Sequence, residues 1–394
     1  MTDPASRAMT EPASRAPRAA AVPRSARVTG WGMYAPQTVL TNTFLEDLVE
    51  TSDDWIRSRT GIGERRVAAP WESTATLAAV AGRRAIAVSG LDPDEIDMVM
   101  VATCTPDYQL PATAAVVTEA LGTRRAAAMD VGAVCSGFVY AYATAHAYVM
   151  SGLARHVVVI GAEVMSRILD FSDRNTCVLF GDGAGAVVLS ASDEPGGGLL
   201  GVELTADASG AYKIWIPSGG SRDPNQVGSR LLYMDGRETY RYATRTLASS
   251  ALAAVAKAGL TPDDITLVVP HQANLRIIEA VTKQLSIPME RVFLNLDRYG
   301  NTSAASVPLA LAEAVDTGRV HPGDRLAFVA FGSGYTSGAI VLEWTADPAA
   351  GARAASIEPT AAISDPPDWP EVDPTPPELR PLFAAVRRPD ETRS

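Results

Sequence analysis

The feature that most constrains this chain is a regular alternation of short apolar runs with long alanine-rich segments. Runs rich in valine, leucine and isoleucine occur at residues 98–102, 157–160, 186–189, 267–269 and 326–330. Their unbroken hydrophobicity is typical of strands that are buried on both faces of a sheet. Segments with helical spacing lie between them, at residues 74–88, 112–121, 137–150, 240–258, 275–285 and 304–315. The alternation predicts an α/β protein in which helices cover sheets in layers.

Three consecutive glycines at positions 196–198 interrupt this pattern near its middle. They predict a division into an N-terminal half over residues 27–194 and a C-terminal half over residues 199–346. Each half ends in a glycine-rich turn followed by an apolar strand, at residues 180–186 and 331–335. The recurrence hints at an internal duplication.

The two ends of the chain differ in composition from the part between them. Residues 1–26 are small, proline-rich and arginine-bearing, and residues 347–394 are rich in proline, alanine and acidic side chains. Such segments lack the apolar content that would offset the entropy of ordering. We therefore predict a disordered N-terminal extension and a flexible C-terminal tail, in which Trp369, Leu382 and Phe383 are the side chains able to dock on the body.

Charge and cysteine content exclude several classes of protein. A net charge of −11 at pH 7 argues against general nucleic-acid binding, which needs a basic surface, although a local basic patch remains compatible with it. Three cysteines are too few for a disulfide framework and indicate a reducing compartment. The sequence has neither a secretory h-region nor an apolar run of membrane-spanning length. We expect a cytoplasmic protein that does not enter the membrane.

Cys135 has a sequence context that the other two cysteines lack. It follows an apolar strand-like segment, has small neighbours on both sides and opens the predicted helix at 137–150. A thiol at a helix N-terminus lies near the positive end of the helix dipole and near free N–H groups, which predicts a lowered pKa and a nucleophilic thiolate. Cys104 and Cys177 lie in or beside apolar segments and fit an inert, buried role.

His271 and Asn301 are the other candidates for a chemical role. Among the four histidines, His271 alone follows directly after a buried strand-like segment, where α/β sheets usually place site residues. Asn301 stands between a glycine and a small-residue helix. It is either a helix N-cap or an amide donor aimed into the same cavity, and the sequence leaves both interpretations open. Cysteine, histidine and asparagine in this order also occur in papain-like hydrolases, although the residues around Cys135 do not match that family's signature.

Together these segments resemble the β-ketoacyl-ACP synthase III family, the condensing enzymes that start fatty-acid and type II polyketide chains. The resemblance runs from about residue 27 to residue 344 and rests on motifs in the same order, at residues 54–62, 129–138, 173–176, 180–185, 270–276 and 300–306. It implies a thiolase fold, in which two related halves pack as five layers, α-β-α-β-α, usually in a homodimer. The alanine- and arginine-rich composition and the two extensions suggest a member from specialised metabolism.

The resemblance also implies a role for each candidate residue. Cys135 would carry the acyl group, while His271 and Asn301 would bind the thioester oxygen of the second substrate. The backbone N–H groups of Cys135 and of Ser333, which stands where the family commonly has glycine, would bind the oxyanion. The residues implied in coenzyme A binding are Trp55, Arg59, Arg174, Arg237, Tyr240 and Asn274. Those implied in docking the acidic carrier protein are Arg241, Arg276 and Lys283.

The implied reaction is a decarboxylative condensation of acyl-CoA with malonyl-ACP through an acyl-cysteine intermediate, with neither a metal nor a redox cofactor. One alternative is a related acyltransferase that passes the acyl group to an alcohol or amine without forming a carbon–carbon bond. The alternative from a different class is the papain-like hydrolase.

Besides Ser333, four positions depart from the pattern of the family. Leu110 replaces a phenylalanine that closes the partner subunit's acyl pocket, which favours a longer or branched acyl group. Ser337 replaces a tryptophan and predicts a wider or repacked cavity. Arg237 stands where an asparagine usually helps to hold the pantetheine. Gln284 replaces one of two adjacent lysines in the carrier-protein patch and leaves only Lys283.

Overall fold

The structure is a computed structural model that describes residues 23–358, 363, 373–384 and 386. The predicted disorder of residues 1–22 and the predicted docking of Trp369 concern positions outside these residues. The strands are β1 (Ser25–Tyr34), β2 (Thr38–Thr41), β3 (Glu64–Val67), β4 (Met98–Ala102), β5 (Ala127–Val131), β6 (His156–Glu163), β7 (Gly183–Ser192), β8 (Gly198–Ala206), β9 (Ile214–Trp215), β10 (Tyr233–Met234), β11 (Leu267–Pro270), β12 (Arg325–Gly332) and β13 (Thr336–Glu343). The helices are α1 (Asn42–Glu46), α2 (Asp53–Thr60), α3 (Thr74–Ser89), α4 (Thr113–Leu121), α5 (Gly137–Met150), α6 (Gly236–Lys257), α7 (Leu275–Leu285), α8 (Leu296–Tyr299) and α9 (Ser306–Asp316). Within the described part of the chain, no helix combines the length and the apolar character needed to cross a bilayer.

The main strands form two sheets that share one plan. The first sheet has the order β1-β7-β6-β4-β5, and the second has the order β8-β13-β12-β11. In each, the first three strands are antiparallel neighbours and the next pairing is parallel. A parallel bridge between Val268 and Val292 extends the second sheet at the place that β5 occupies in the first. This shared strand order is the internal duplication that the two glycine-rich turns suggested.

The three consecutive glycines connect the first sheet to the second. Strands of the first sheet lie within residues 25–192, and those of the second lie within residues 198–343. Gly196, Gly197 and Gly198 have φ angles of 79°, 75° and 75°. Residues with a Cβ rarely adopt this left-handed conformation, so glycine is needed at each position.

Helices α5 and α9 lie between the two sheets and form the central layer. One apolar cluster joins Phe138 and Tyr142 of α5 and Leu311 of α9 to Val159 of the first sheet and Phe328 of the second. Full burial of a side chain of this size contributes about 1.5–3 kcal/mol. Two further clusters fill the spaces between the first sheet and α3 and α4, and between the second sheet and α6 and α7. The layers therefore follow the order α-β-α-β-α of the thiolase fold, as the resemblance implied.

Within residues 347–394, which we predict to be flexible, the structure places two segments against the body. Residues Pro348–Ser356 form a 3-10 helix against α3, and Arg353 Nη1 donates to the Val88 carbonyl at 2.8 Å. A second 3-10 segment, Pro377–Phe383, packs on an apolar cluster of the body. The low apolar content concealed this docking, because a few well-placed apolar side chains anchor the segment. At the other end, β1 begins at Ser25, ahead of the predicted boundary at residue 27.

Candidate active site

A cavity of about 1310 Å³ is lined by residues of both halves, among them Cys135, His271 and Asn301. Cys135 lies in the 3-10 turn between β5 and α5, and Asn301 lies just ahead of the 3-10 turn that precedes α9. His271 follows β11 at the end of its strand. The duplicated plan thus brings three residues from separate parts of the sequence to one cavity.

The turn that carries Cys135 packs closely against the loop after β12. Cys135 is the central residue of a 3-10 turn, and the hydroxyl of the next residue, Ser136, lies 2.7 Å from the Thr336 hydroxyl. A Cβ added to Gly332 would lie 2.8 Å from the Cys135 nitrogen. Only glycine therefore allows the loop to come this close to the nucleophile turn.

Ser333 keeps a backbone that suits the predicted oxyanion role. The positive φ angles in this loop fall on Gly334 (71°) and Tyr335 (47°), so the serine is not forced into the left-handed region. Cys135 is the second residue of its 3-10 turn and Ser333 is the first of the other, and N–H groups at these positions have no acceptor within the turn. Their N–H groups are therefore suited to bind a negatively charged oxygen in the cavity.

The predicted lowering of the Cys135 pKa is wrong for the resting protein. Burial raises the pKa of the thiol to about 12, a hydrogen bond with Ser303 opposes the rise, and the nearby Glu163 adds to it. Desolvation of the thiolate outweighs a helix-terminus effect of about 1–2 kcal/mol. The sequence revealed the helix terminus but not the depth of burial. Cys135 is therefore a thiol at neutral pH.

A buried carboxylate is connected to this thiol through Ser303. Glu163, at the end of β6, accepts hydrogen bonds of 2.6–3.1 Å from the hydroxyls of Thr103, Thr105 and Ser303 and from the N–H groups of Cys104 and Thr105. Burial raises the pKa of this carboxyl group, and the hydrogen bonds from Thr105 and Cys104 act against that rise. Sequence reasoning missed Glu163 and Ser303, because their partners come from three separate segments.

Ser306 fixes the orientation of His271. Burial lowers the pKa of the imidazole to about 4, so the ring is neutral at pH 7. Its Nδ1 lies 2.6 Å from the Ser306 hydroxyl, whose oxygen also accepts the N–H of Gln272 at 3.2 Å. We assign the Ser306 proton to the hydrogen bond with Nδ1, which puts the proton of the neutral imidazole on Nε2. The Nε2–H group is left as a donor toward the cavity.

The capping interpretation of Asn301 is confirmed, and the amide-donor interpretation stays a prediction. The side-chain oxygen accepts the N–H of Ser303 at 2.9 Å and caps the turn before α9. We expect the NH₂ group to donate a hydrogen bond into the cavity, which Asn301 lines. The backbone is held by the Leu179 carbonyl and the Gly181 N–H. Gly300 precedes it with φ 64° and ψ −157°, a conformation essentially restricted to glycine.

Arginines surround the mouth of the cavity. The guanidinium carbons of Arg174 and Arg59 lie 5.3 Å and 5.8 Å from the ring centroid of Trp55, within the range of a cation–π interaction. Arg174 also donates to the Glu50 carbonyl at 2.7 Å. The other predicted substrate and carrier contacts with exposed side chains at the cavity are Arg237, Tyr240, Arg241 and Arg276. A basic rim therefore exists on a chain whose net charge is −11.

Asn274 lines the cavity, but its amide is already engaged. Its oxygen accepts the N–H of Arg276 at 2.9 Å and caps α7, and its NH₂ group donates to the Arg59 carbonyl at 3.2 Å. The side chain therefore ties α7 to the end of α2 beside the rim.

Three positions that the sequence singled out are not among the described residues that line the cavity. Lys283 is exposed on α7, and Leu110 is 87% exposed on the loop before α4. Ser337 is fully buried, and its hydroxyl lies 2.7 Å from that of Thr205 and 3.0 Å from that of Ser250. Ser337 therefore packs among hydrogen-bonded polar side chains, and its effect on the cavity stays a prediction.

The raised pKa of Cys135 predicts a steep pH dependence of its alkylation. Only the thiolate reacts, so the rate of carbamidomethylation by iodoacetamide rises about tenfold per unit between about pH 7 and pH 9. Site-resolved mass spectrometry measures the rate at Cys135, with Cys135→Ser as the control for labelling elsewhere. A rate that no longer rises above pH 7 would contradict the raised pKa. It would support the lowered pKa that the helix terminus alone predicts.

Removal of the Ser306 hydroxyl is expected to let His271 populate both of its neutral tautomers. In wild-type protein labelled with ¹⁵N-histidine, NMR should show the Nε2–H form. In Ser306→Ala, both neutral tautomers become populated because Nδ1 loses its partner. Ser250→Ala is the matched control, since this buried serine bonds Ser337 and not the imidazole. An unchanged His271 spectrum in Ser306→Ala contradicts the assignment.

Comparison with known proteins finds the same architecture and motifs elsewhere. Residues 129–208 match the family model of 3-oxoacyl-[acyl-carrier-protein (ACP)] synthase III, and residues 255–344 match that of its C-terminal part. The β-ketoacyl-[acyl-carrier-protein] synthase III of Roseiflexus sp. (strain RS-1) is 54% identical over 326 residues, which cover 82% of this chain and 99% of the relative.

Solved structures extend this similarity to the fold. The β-ketoacyl-[acyl carrier protein] synthase III of Thermus thermophilus is 47% identical with a TM-score of 0.75, covering 81% of this chain and 99% of that one. The priming β-ketosynthase of the R1128 polyketide biosynthetic pathway is 37% identical with a TM-score of 0.78, covering 86% and 100%. These similarities rule out the papain-like interpretation. The chain belongs to the β-ketoacyl-ACP synthase III family of thiolase-fold condensing enzymes.

Proposed function

We propose that the protein joins the acyl group of an acyl-CoA to malonyl-ACP by decarboxylative condensation, through an acyl intermediate on Cys135. The observation that carries this proposal is the convergence of the Cys135 thiol, the neutral His271 and the Asn301 amide on one cavity with a basic mouth. The name of the Roseiflexus relative supports the same reaction.

In the first half-reaction, the sulfur of Cys135 attacks the thioester carbonyl of acyl-CoA and the carbon–sulfur bond to coenzyme A breaks. The thiol proton ends on the departing coenzyme A sulfur, so the buried site gains no net charge. The N–H groups of Cys135 and Ser333 stabilise the transient oxyanion. Because burial raises the Cys135 pKa, loss of the proton is coupled to the attack.

In the second half-reaction, the malonyl group loses carbon dioxide and its enolate carbon attacks the acyl-cysteine carbonyl. The enolate oxygen accepts hydrogen bonds from His271 Nε2–H and from the amide of Asn301. The depressed pKa of His271, about 4, keeps the imidazole neutral at physiological pH. The Cys135 sulfur leaves as a thiolate and takes up one proton, which restores the thiol. No metal or redox cofactor enters this balance.

The basic rim serves both large substrates. Its arginines attract the phosphates of coenzyme A and then the acidic surface of the carrier protein. Trp55 and Arg174 lie only 5.3 Å apart, so adenine enters between them once the arginine side chain swings aside. Arg237, Tyr240 and Asn274 line the same cavity, on the path to the thiol. Lys283, outside the cavity on α7, is within reach of a partner as large as a carrier protein.

We also propose that the enzyme is a cytoplasmic homodimer. Strand β5 is the edge of the first sheet, and its residues from Ala128 to Val131 are only half-buried. An edge strand of this kind is a template for pairing with a second copy. The exposed Leu110 is placed to close the partner's acyl pocket in such a dimer. The extensions beyond the family match favour a role in specialised metabolism, such as the start of a polyketide chain.

Intact-protein mass spectrometry tests the condensation. Incubation with a panel of acyl-CoAs should add one acyl mass to wild type and to Cys177→Ala, a control at a buried cysteine away from the cavity, but not to Cys135→Ala. Malonyl-ACP should then remove this mass and yield 3-ketoacyl-ACP. His271→Ala should still acylate, with condensation slower by about 10²–10³-fold.

Two results would overturn this proposal. Release of the acyl group only to an alcohol or amine, without 3-ketoacyl-ACP, would identify a plain acyltransferase. Absence of an acyl mass with every donor would remove the role of Cys135 altogether.

Substitution of Leu110 tests its place in the acyl pocket. Leu110→Phe fills space and is expected to lower kcat/KM for long or branched acyl-CoAs by about tenfold relative to acetyl-CoA, since one or two methylene groups are worth about 1–3 kcal/mol. Leu153→Phe, a change at another highly exposed leucine (75%), is the matched control. An identical acyl-CoA profile in wild type and Leu110→Phe would place the acyl pocket elsewhere.

A further inference from the structure

The C-terminal segment at residues 373–384 takes no part in the proposed reaction and lies beyond the family match. The match to the C-terminal family model ends at residue 344. The Roseiflexus relative is covered over 99% of its length by 82% of this chain. The segment is therefore an addition to the family core. Its packing contacts indicate its role.

The segment docks through apolar side chains. Leu379 is completely buried and Phe383 is 9% exposed. The segment contacts strand β2, and the Asp373 carboxylate interacts electrostatically with Arg167 of the body. An ion pair of 3.2 Å between Asp373 and Arg380 joins its two ends. These contacts give the segment a defined place on the body.

The apolar cluster that receives the segment lies beneath the proposed adenine site. Helix α2 contributes Ile56 to this cluster and presents the adjacent Trp55 to the cavity. The chain at residues 171–178 contributes Phe171 and Val178 to the same cluster and carries Arg174 at the cavity mouth. Both sides of the adenine site therefore rest on a single apolar cluster, which the C-terminal segment completes.

We propose that residues 373–384 form a strap that positions Trp55 and Arg174 and thereby sets the affinity for coenzyme A thioesters. The proposal rests on the proposed function, because it takes an acyl-CoA to be the donor. Close-packed interiors transmit displacements of their side chains, and a cavity left by a removed side chain is only partly filled by its neighbours. Loss of Leu379 and Phe383 therefore shifts α2 against residues 171–178.

The strap acts first on the nucleotide part of the donor. His271 is held by Ser306, which is not part of the cluster under the strap. Asn301 is held by Ser303 and, through its backbone N–H, by Leu179 at the edge of that cluster. A donor without the nucleotide therefore distinguishes positioning of the adenine site from general damage.

The test compares two donors in the full-length chain. In Leu379→Ala/Phe383→Ala, KM for the acyl-CoA that wild type prefers should rise about tenfold while kcat stays within about twofold. KM for the same acyl group on N-acetylcysteamine, which lacks the nucleotide, should not change. Arg353→Ala is the control, because it removes a contact of the other tail segment, at α3, and should leave both KM values as in wild type.

Equal rises of KM for both donors, or no rise for either, would overturn the strap. Hydrogen–deuterium exchange supplies a readout that does not depend on turnover. The double variant should exchange faster at residues 42–60 and 165–180 and at an unchanged rate in α5 and α9. If wild type reacts with neither thioester, the proposed function has failed. The strap is then judged by this exchange pattern and by calorimetric titration with coenzyme A itself, and unchanged exchange and affinity would refute it.

Discussion

The close packing of α5 and α9 between the two sheets is the constraint on which the site depends. A Cβ added to Gly161 would lie 2.2 Å from the Ala304 carbonyl oxygen, and one added to Gly137 would lie 3.1 Å from the Cβ of Ala102. Larger residues at these glycines would push the two helix starts away from the first sheet. Since Cys135 and Asn301 sit just before those helices, the spacing between nucleophile and amide donor is set by backbone packing. Flexible side chains have little influence on it.

The site keeps ionic charge at its mouth and neutral groups at its floor. Cys135 is a thiol, His271 is a neutral imidazole and Asn301 is an amide, while the arginines stay on the exposed rim. Glu163, the fully buried carboxylate near the floor, is saturated with donors, as a buried polar network requires. Oxygen atoms that gain charge during the reaction therefore meet preorganised N–H dipoles in a dry environment, where each hydrogen bond is stronger than in water.

The sequence predicted the parts of the fold whose signal is local. Helices predicted at 137–150 and 275–285 and the strand predicted at 98–102 coincide with α5, α7 and β4, because helical spacing and an unbroken apolar run are local signals. Strand β1 was not predicted, because two glycines, Gly30 and Gly32, interrupt its apolar pattern. These glycines allow α3 to pack closely against the strand. Three properties depended on tertiary structure: the direction of the Cys135 pKa, the hydrogen bonds of Ser303 and Ser306, and the docking of the tail. Burial and long-range partners decide all three, and no local pattern encodes them.

The duplicated sheet order has a consequence for how the enzyme becomes reactive. The first half supplies the cysteine and Glu163, and the second supplies the imidazole, the amide and Ser303, which bonds that carboxylate. A chain in which only one half has folded has either a nucleophile without donors or donors without a nucleophile. Catalytic competence therefore requires both halves in place, because the cavity is lined by residues of each.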